Sequence, residues 1–472
     1  MGTAIVSETG VPDTGNVLID SLVWGSKWES TGPVKITVGY YPTVDNYNYY
    51  GQYLGQRGLS ATELAAIANT VAEFAKYINV DFVLMGADPN EVSDIQFVLS
   101  NDQSIGYLGE AAPPGEQGYD PGGNQGFSEV WVYTNNYASR SGTLGKGGYD
   151  YITFVHEFGH AMGLAHPHDT GGTASDPSLI FPGVTSPFGS YGDGSLNQGI
   201  FTTMSYNDGW PAVVSNGAVG YGYQAGLMAL DILALQYIYG ARNDAGTDDT
   251  NNDGNIDDVY VLPTRNAVGT GYSSIYDTDG VDTISFAGTA NCTIDLRAAT
   301  GLAEAGGGGF VSFGKGVKGG FTIAVGVVVE NATGSRGADT LIGNDSDNVL
   351  TGNAGKDRMT GGLGADTFVF NSLRDTSAYL SLADIILDFT EGVDRIDVSL
   401  LDTNVRLAGV QALLFDFIDV NLFSAAGQIR SLYDALRDMT VLSLNTDTDQ
   451  AAEAVIALSG VHDLTDSDFI FA

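Results

Sequence analysis

A nine-residue repeat beginning at Gly334 constrains the fold of this 472-residue chain more than any other feature. Four units follow one another without gaps, with glycine at position 1 of all four and at position 4 of three. They read GSRGADTLI (334–342), GNDSDNVLT (343–351), GNAGKDRMT (352–360) and GGLGADTFV (361–369). Glycine tolerates the positive φ of a sharp turn, and the last three residues of each unit suit a short strand with an inward apolar residue. A flexible Gly/Asp-rich linker is the alternative, but a register held over four units favours stacked turns.

Position 6 of the repeat is occupied by Asp339, Asp357 and Asp366 in three units and by Asn348 in the second. An Asp at the end of one turn and the carbonyls of the next turn form a gap lined with oxygen atoms. Ca²⁺ takes six to eight oxygen ligands, so the repeat predicts calcium between the turns.

The chain is strongly acidic, with 57 Asp and Glu against 19 Lys and Arg and a net charge of -38. This charge argues against binding nucleic acid or an anionic membrane surface and favours a cation as partner. It indicates either a salt-adapted surface or carboxylates that bind calcium. Cys292 is the only cysteine, so no intramolecular disulfide can form, and bound metal is the expected source of stability outside a cell.

The N-terminus has no signal-peptide pattern, and no run of about 18 apolar residues suggests a membrane span. We therefore expect either a cytosolic protein or export by a route that does not read the N-terminus.

Periodicity predicts an α+β pattern up to the central histidines and short β-type runs from about residue 259 onward. Ser60 and Glu63 form a capping-box pattern ahead of a helix with an apolar stripe from Leu64 to Ile78. Residues 1–20 are expected to be a loose leader, and the region from 371 onward a sheet packed on the repeat stack. Further predicted elements are strands at 34–40, 81–85, 95–99, 130–133, 384–389, 395–400, 441–444 and 454–458, and a helix at 225–239.

The central stretch HEFGHAMGLAH contains the candidate metal ligands and the candidate catalytic base. His156 and His160 are four residues apart, so on a helix both imidazoles leave one face and can bind one Zn²⁺. Glu157 can lie beside the metal without binding it and accept a proton from a water whose pKa zinc has lowered. Gly163 can end the helix in a left-handed conformation and return His166 as a third ligand.

Three other residues carry weaker signals. Met204 lies 38 residues beyond His166, compatible with a methionine turn beneath the zinc, although Met is often core filler. His168 is expected not to bind zinc, and the distant His462 to be structural or solvated.

The chain resembles the serralysin family of secreted bacterial metalloproteases, which are metzincins, from about Leu22 to the C-terminus. The resemblance rests on five segments: HEFGHAMGLAHP, MSY after a long loop, DILALQYIYGA, VVENATGSRGADTLIGN and the ending DFIFA. It implies an α+β metzincin catalytic domain followed by an all-β parallel β-roll or sandwich domain. It also implies one catalytic zinc and several structural calcium ions.

The resemblance also assigns roles to individual residues. His156, His160 and His166 would bind zinc, Glu157 would be the catalytic base, and Met204 would form the turn beneath the metal. Tyr206 would bind zinc in the resting enzyme and swing away to stabilise the oxyanion. The implied calcium ligands are Asp277, Asp279, Gly280, Asp282, Glu330 and Asp384, and, at positions 2, 4 and 6 of the repeats, Ser335, Gly337, Asp339, Asn344, Ser346, Asn348, Asn353, Gly355, Asp357, Gly362, Gly364 and Asp366.

The sequence departs from the family pattern in three places. His168 stands where the family usually has glycine. Four nonapeptides are at the short end for the family, and the segment 244–258 is longer and more acidic than the family pattern. Residues 249–260 have EF-loop spacing but Tyr260 where the bidentate Glu should be, so this segment is either a calcium site or an acidic surface loop. If it binds calcium, the family pattern before its VY pair points to Gly254, Ile256 and Asp258.

The resemblance gives a domain plan. A leader or propeptide-like segment would span 1–21, the zinc protease domain 22–242, a connector and the start of the β domain 243–333, and the repeat β-roll 334–370. Residues 371–472 would hold a C-terminal β region with the secretion signal, read by a type I (ABC) export machinery. The expected product is a secreted, extracellular monomer that acts on protein or peptide substrates, without nucleic acid or membrane insertion.

Two other functions fit parts of the sequence. A calcium-dependent adhesive or surface-layer protein would need the zinc motif to have decayed, and the intact His156, Glu157, His160, His166 and Tyr206 argue against it. A zinc hydrolase acting on something other than protein stays open, because the motif specifies activated water rather than a substrate.

Overall fold

The computed structural model of the chain describes residues 10–30, 33–89, 93–114, 127–134, 142–170, 173, 179–208, 220–242, 256–402 and 422–471, and two short strands at 5–6 and 416–418. The α-helices in these residues are α1 Val17–Asp20, α2 Ala61–Ala75, α3 Tyr149–Ala161 and α4 Ala229–Tyr239. The strands of the first half are β1 Ile5–Val6, β2 Trp28–Glu29, β3 Val34–Tyr40, β4 Thr43–Tyr47, β5 Tyr53–Gly58, β6 Val80–Ala87, β7 Ile95–Asp102, β8 Gly109–Ala111 and β9 Ser128–Tyr133. No described helix has the length and apolar character needed to cross a membrane.

The first half is built on a mixed sheet with strand order β5-β4-β7-β3-β6, and β9 and β8 continue it from the other side of β7. β3 pairs in parallel with β6 and β7, and β8 runs antiparallel to β9. Alternation in VKITVGY buries Ile36 and Val38 completely, as expected for a strand with one face on the core. β8 contacts α3, the helix that carries two of the central histidines.

The predicted helix after Ser60 is confirmed as α2. The Glu63 backbone N–H donates to Ser60 Oγ at 3.3 Å, and the Ser60 backbone N–H donates to Glu63 Oε2 at 2.7 Å, which completes the capping box. Its apolar stripe faces α3, where the Phe74 and Phe158 rings meet edge to face at 4.9 Å. α4 begins at Ala229 rather than at 225, because the Asp231 carboxylate accepts the Met228 backbone N–H at 2.9 Å and so fixes the start of the helix.

The second half consists of short strands in two sheets. These strands are β10 Val259–Val261, β11 Tyr272–Ile275, β12 Thr283–Ser285, β13 Cys292–Asp295, β14 Ser312–Gly314, β15 Gly320–Ile323, β16 Asn331–Thr333, β17 Thr340–Ile342, β18 Val349–Thr351, β19 Arg358–Thr360, β20 Thr367–Val369, β21 Asp384–Ile386, β22 Arg395–Asp397, β23 Asp416–Ile418, β24 Gln428–Asp434, β25 Met439–Asn445, β26 Ala454–Ser459 and β27 Phe469–Ile470. One sheet has the order β10-β12-β16-β18-β20-β22-β27 and is parallel throughout. The other runs β11-β15-β14-β13-β17-β19-β21-β26-β25-β24-β23.

The four repeat units supply alternate strands to the two sheets. β17 pairs with β19, and β18 with β20, so each strand lies beside the strand two units away. The position-8 residues Leu341, Leu350, Met359 and Phe368 are all completely buried between the sheets. The predicted stack of parallel short strands with an inward apolar residue is therefore confirmed.

The region after residue 371 does not form the separate packed sheet that we expected. Instead, β21 and β26 extend one sheet of the stack and β22 and β27 extend the other, all by parallel pairing. The reason is that the edge of a short-strand stack presents unpaired backbone groups, which the next strands satisfy directly.

An acid ladder runs along the leading ends of the strands in the seven-stranded sheet. At four of the six steps the residue before one strand accepts the backbone N–H of its counterpart in the preceding layer, as Asp282 does from Asp258 at 2.8 Å and Asp394 from Asp366 at 3.0 Å. The residues at this position along the sheet are Asp258, Asp282, Glu330, Asn348, Asp366, Asp394 and Asp468. The repeated layer therefore extends well outside the four nonapeptides.

Residues 10–21 are not the loose leader that we expected. Val11 and Leu18 are completely buried, and Asn16 Oδ1 accepts the Leu18 backbone N–H at 3.1 Å to cap α1. Asn16 Nδ2 also donates to the Gly301 carbonyl at 2.7 Å, which ties this segment to the second half of the chain. Burial of the apolar residues outweighs the turn-forming composition around them.

The repeat turns require glycine where two layers approach each other. Gly362 has φ +107°, and a Cβ there would lie 2.2 Å from the Asn344 carbonyl oxygen, whereas Gly316 has φ +83° with open space around it. We expect Gly316→Ala to cost about 1 kcal/mol from backbone strain alone, and Gly362→Ala at least about 2 kcal/mol more from the clash. Urea unfolding of both variants at saturating calcium measures the difference. Equal losses would contradict the close packing of the layers.

Candidate metal centre

α3 places His156 and His160 on one face. The opposite face of the helix is held in the core by Tyr151, Phe154 and Phe158, all completely buried. Phe158 stacks on Phe97 of β7 with ring centroids 5.6 Å apart. Anchored in this way, the helix presents both imidazoles in one fixed direction.

Gly163 turns the chain so that His166 returns to the helix. Its φ is +98°, and a Cβ would lie 2.7 Å from the Ser26 carbonyl oxygen, so glycine is required on two counts. Beyond it, Leu164 bridges to Val23, and the Ala165 backbone N–H donates to the Leu22 carbonyl at 2.8 Å. This short pairing sets the position of the next residue, His166.

The three imidazoles converge through their Nε2 atoms. His166 Nε2 lies 2.9 Å from the Nε2 atoms of both His156 and His160. Each Nδ1 faces an oxygen that can only accept a proton: the Thr203 carbonyl for His156 at 2.8 Å, the Leu164 carbonyl for His160 at 2.8 Å, and Asp169 Oδ2 for His166 at 2.6 Å. Each Nδ1 therefore carries the hydrogen, and the three Nε2 lone pairs point at one another.

Burial keeps two of these rings neutral. Burial and the neighbouring His166 lower the pKa of His156 to about 3, and the same two causes hold the pKa of His160 well below its usual value. Neutral imidazoles with converging lone pairs form the donor set that zinc prefers, and three of them leave a fourth position open. The residues present therefore fit a zinc ion.

Glu157 lies beside this centre and is 6% exposed. Burial, with a smaller effect of the Glu110 charge, raises the pKa of its carboxyl well above the usual value. Gly109 in β8 makes room for it, because a Cβ there would lie 2.6 Å from Glu157 Cγ. The carboxyl group therefore occupies a site in which proton uptake is favoured.

Tyr206 and Met204 both lie near the three histidines but contact different parts of the centre. The Tyr206 ring is 4.7 Å from the His166 ring and 5.8 Å from the His156 ring, and burial raises the pKa of its hydroxyl to about 12. Met204 is completely buried against α3, where its Sδ lies 2.9 Å from the position of a Cβ on Gly159. The structure thus brings together all six residues that the sequence predicted for the zinc site.

The sequence reasoning missed two carboxylates that orient this centre. Asp169 holds His166, and its only sequence signal is the three-residue spacing. Asp231 in α4 accepts the Thr202 hydroxyl at 2.6 Å and the Thr203 backbone N–H at 2.7 Å, and burial raises its pKa to about 6. It fixes the backbone whose carbonyl accepts from His156, a relation across 28 residues that no local pattern reveals.

The other two histidines have different surroundings. His168 stacks on His166 with centroids 4.8 Å apart and lies 4.7 Å from the Tyr206 ring, so it borders the centre without joining the three converging nitrogens. His462 lies in the second half, with Nδ1 3.2 Å from Glu391 Oε1 and Nε2 2.9 Å from the Ser459 carbonyl.

The predicted calcium ligands lie in the second half, along the layers of the stack. Asp339, Asn348, Asp357, Asp366 and Asp384 are all nearly completely buried. Asp357 Oδ1 accepts the Asp339 backbone N–H, and Asp384 Oδ1 accepts that of Asp357, each at 2.8 Å. The second oxygen of Asp357 and of Asp384 is buried and has no hydrogen-bond partner among the described residues. Burial raises the pKa of both carboxyls to about 8, assisted at Asp357 by the charge of Asp384. Buried, unsatisfied carboxylate oxygens are a suitable environment for Ca²⁺.

The other predicted calcium ligands form a second group. Asp277, Asp279, Gly280 and Glu330 line one cavity of about 400 Å³, and a Cβ on Gly280 would lie 1.9 Å from the Ile256 carbonyl oxygen. Asp282 donates its backbone N–H to Glu330 Oε2 at 2.8 Å. Gly254 and most of the acidic segment lie outside the described residues. The remaining predicted ligands belong to the repeat turns: Ser335, Gly337, Asn344, Ser346, Asn353, Gly355, Gly362 and Gly364.

Comparison with known proteins identifies relatives along most of the chain. Residues 256–471 match the family model described as "Peptidase M10 serralysin C terminal". Metallopeptidase AprA of Pseudomonas marginalis is 37% identical over an alignment of 326 residues that covers 66% of this chain and 63% of that protein. Serralysin of Proteus mirabilis is 32% identical over 454 residues, covering 89% of this chain and 84% of that one. Serralysin C of Dickeya chrysanthemi is 36% identical over 75% of this chain and 68% of its own length.

Asp169 provides a test of how the centre is oriented. We expect Asp169→Ala to weaken zinc affinity roughly 10- to 100-fold, because His166 loses the acceptor that fixes its ring and its Nδ1 proton. Competition with a chelator of known affinity measures this change. Asp81→Ala, an exposed site in β6, is the control and should bind zinc like the wild type. Equal affinity in all three proteins would show that Asp169 does not orient the centre.

Proposed function

The chain belongs to the serralysin family of metalloproteases, and from this premise we propose that it is a secreted, zinc-dependent endopeptidase stabilised by calcium. One observation carries the proposal: three imidazoles, one buried and two half-buried, converge through Nε2, and the Glu157 carboxyl lines one cavity together with His156. On this proposal the first half is a metzincin catalytic domain and the second half a calcium-binding β-roll.

His156, His160 and His166 would hold the zinc ion, and their Nδ1 acceptors would keep the rings oriented. When bound, zinc lowers the pKa of water toward neutrality and polarises a carbonyl oxygen. The Glu157 carboxylate would take the proton from the attacking water and deliver it to the leaving amine. A carboxyl whose pKa is raised by burial suits a group that must accept and then release a proton.

Tyr206 would assist the same reaction. Its ring lies against His166 and His156 and is 40% exposed, so its hydroxyl can move between the metal centre and the cavity. A tyrosine whose pKa is raised to about 12 stays protonated and can donate a hydrogen bond to the oxyanion of the tetrahedral intermediate. Met204 would support the centre from below through its packing on Gly159.

Calcium would act in the second half of the chain. The ladder and the repeat turns bring buried carboxylates close together, and their charges oppose folding until cations neutralise them. In a low-calcium cytosol the repeats would stay unfolded, and outside the cell calcium would fold them. Export by a type I (ABC) machinery that reads the C-terminal region, with protein or peptide substrates and a monomeric enzyme, completes the proposal.

The role of Glu157 is tested by Glu157→Ala. We expect caseinolysis to fall at least about 1000-fold, because the variant loses the carboxylate that lies next to His156 on α3 and that would accept the proton. Zinc content, measured by atomic absorption, should stay at one ion per chain, since Glu157 is not one of the three converging ligands. Asp81→Ala should keep wild-type activity. Retained activity in Glu157→Ala would rule out this mechanism.

Calcium stabilisation is tested on the full chain carrying Glu157→Ala, which prevents self-digestion. Removing calcium with a selective chelator, with zinc replenished, should lower the thermal midpoint by at least about 5 °C, because only the folded stack binds the ions. Circular dichroism at 218 nm follows the loss of strand and its recovery when calcium is restored. A midpoint that does not move in the chelated sample would contradict the calcium role.

A further inference from the structure

The cavity beside the metal centre is lined by residues that favour one class of substrate side chain. Its volume is about 360 Å³, within the range of ligand pockets. One wall is the face of α3 that carries Glu157, including Tyr149 and Thr153, and its rim is formed by residues 106–109 at and before β8. The other lining residues include Tyr206 and Asp208, and Tyr223 and Gln224. A substrate held at the metal centre would therefore place one flanking side chain in this cavity.

The charged residues that line the cavity have one sign. Asp208 and Glu157 are its carboxylates, and no Lys or Arg lies among the described lining residues. Since Glu157 is engaged in the proposed reaction, Asp208 is the charge available to a substrate side chain. Asp208 is exposed to the cavity, and no hydrogen bond or ion pair joins its carboxylate to another described residue. A cationic side chain in the cavity would therefore have this carboxylate as its partner.

Two aromatic rings in the cavity also favour a cationic side chain. Tyr149 and Tyr223 meet edge to face with centroids 5.1 Å apart, and both line the cavity. Burial raises the pKa of Tyr223, and the Asp208 charge adds to the effect, which places that carboxylate within electrostatic reach of the ring. Tyrosine faces attract Lys and Arg side chains. The net charge of -38 draws basic substrates toward the enzyme as well.

We propose that this cavity selects a substrate residue with a cationic side chain, lysine or arginine, next to the scissile bond, and that Asp208 is the residue responsible for the selection. The inference rests on the proposed peptidase function and names its preferred substrate class. A pocket of the same shape without Asp208 would select a neutral apolar or aromatic side chain, because tyrosine rings pack against both.

The test uses fluorogenic peptides of one sequence that differ at a single residue on either side of the cleaved bond. Lys, Met and Glu are compared at each position, since Met has a similar length to Lys without the charge. At one of the two positions we expect the wild type to cleave the Lys peptide with a kcat/KM about 10-fold above that of the Met peptide, and to disfavour Glu. The Lys preference should weaken as salt rises, because charge pairing near the surface is screened.

Variants assign the preference to one carboxylate. In Asp208→Asn the Lys-to-Met ratio of kcat/KM should fall below about 2, and Asp208→Glu should retain most of it. The control Asp81→Asn removes an exposed carboxylate outside the cavity and should keep the wild-type ratio. Because the readout is a ratio within one protein, a general loss of active enzyme does not mimic the effect.

Each outcome separates the two proposals. Equal cleavage of Lys and Met peptides by the wild type overturns the inference whether or not a variant folds, and so does an Asp208→Asn ratio equal to that of the wild type. Cleavage of none of the peptides or of casein by the wild type would instead overturn the proposed peptidase function.

Discussion

The metal centre depends on where three imidazole protons are held. Two backbone carbonyls and one carboxylate accept the Nδ1 hydrogens of His156, His160 and His166, and this leaves every Nε2 lone pair facing the same point. Each acceptor comes from a different local structure: the methionine-containing turn, the helix-ending turn and the segment beyond the third histidine. The α3 sequence alone would not fix the rings, so the surrounding loops are as much a part of the centre as the helix.

The second half differs from the first because carboxylates of like charge lie close together in it. In the eleven-stranded sheet the Asp339 backbone N–H donates to Asp357 and that of Asp357 donates to Asp384, and the other oxygen of Asp357 and of Asp384 is buried without a partner among the described residues. Such an arrangement is unfavourable by itself. On the proposed calcium binding, it would couple folding of this half to the cation content of the surroundings, whereas the first half is held by an apolar core around Phe74, Phe97 and Phe158.

The features that the sequence predicted well are those with short-range patterns. The capping box at Ser60, the zinc motif and the nonapeptides each fit within a few residues, so their structural meaning is local. The sequence did not reveal the acid ladder because its outer layers are spaced irregularly: Asp258 meets Asp282 across 24 residues, and Asp282 meets Glu330 across 48. It did not reveal the role of Asp231 because that carboxylate contacts Thr203 across 28 residues. Residues 10–21 were wrongly predicted to be loose because Gly, Pro and Asp dominate the composition there. Three apolar side chains in this segment, Val11, Leu18 and Ile19, are buried in the core.

The alternation of repeat strands between two sheets sets a rule for how the chain can change length. Thr340 lies opposite Arg358 in one sheet and Val349 opposite Thr367 in the other, so successive units occupy opposite walls. Loss of a single nonapeptide would move every later strand to the wrong wall, and β21 and β22 would exchange partners. Loss or gain of two units together keeps each strand on its own wall. The stack can therefore gain or lose repeat units in pairs without moving any later strand to the other sheet.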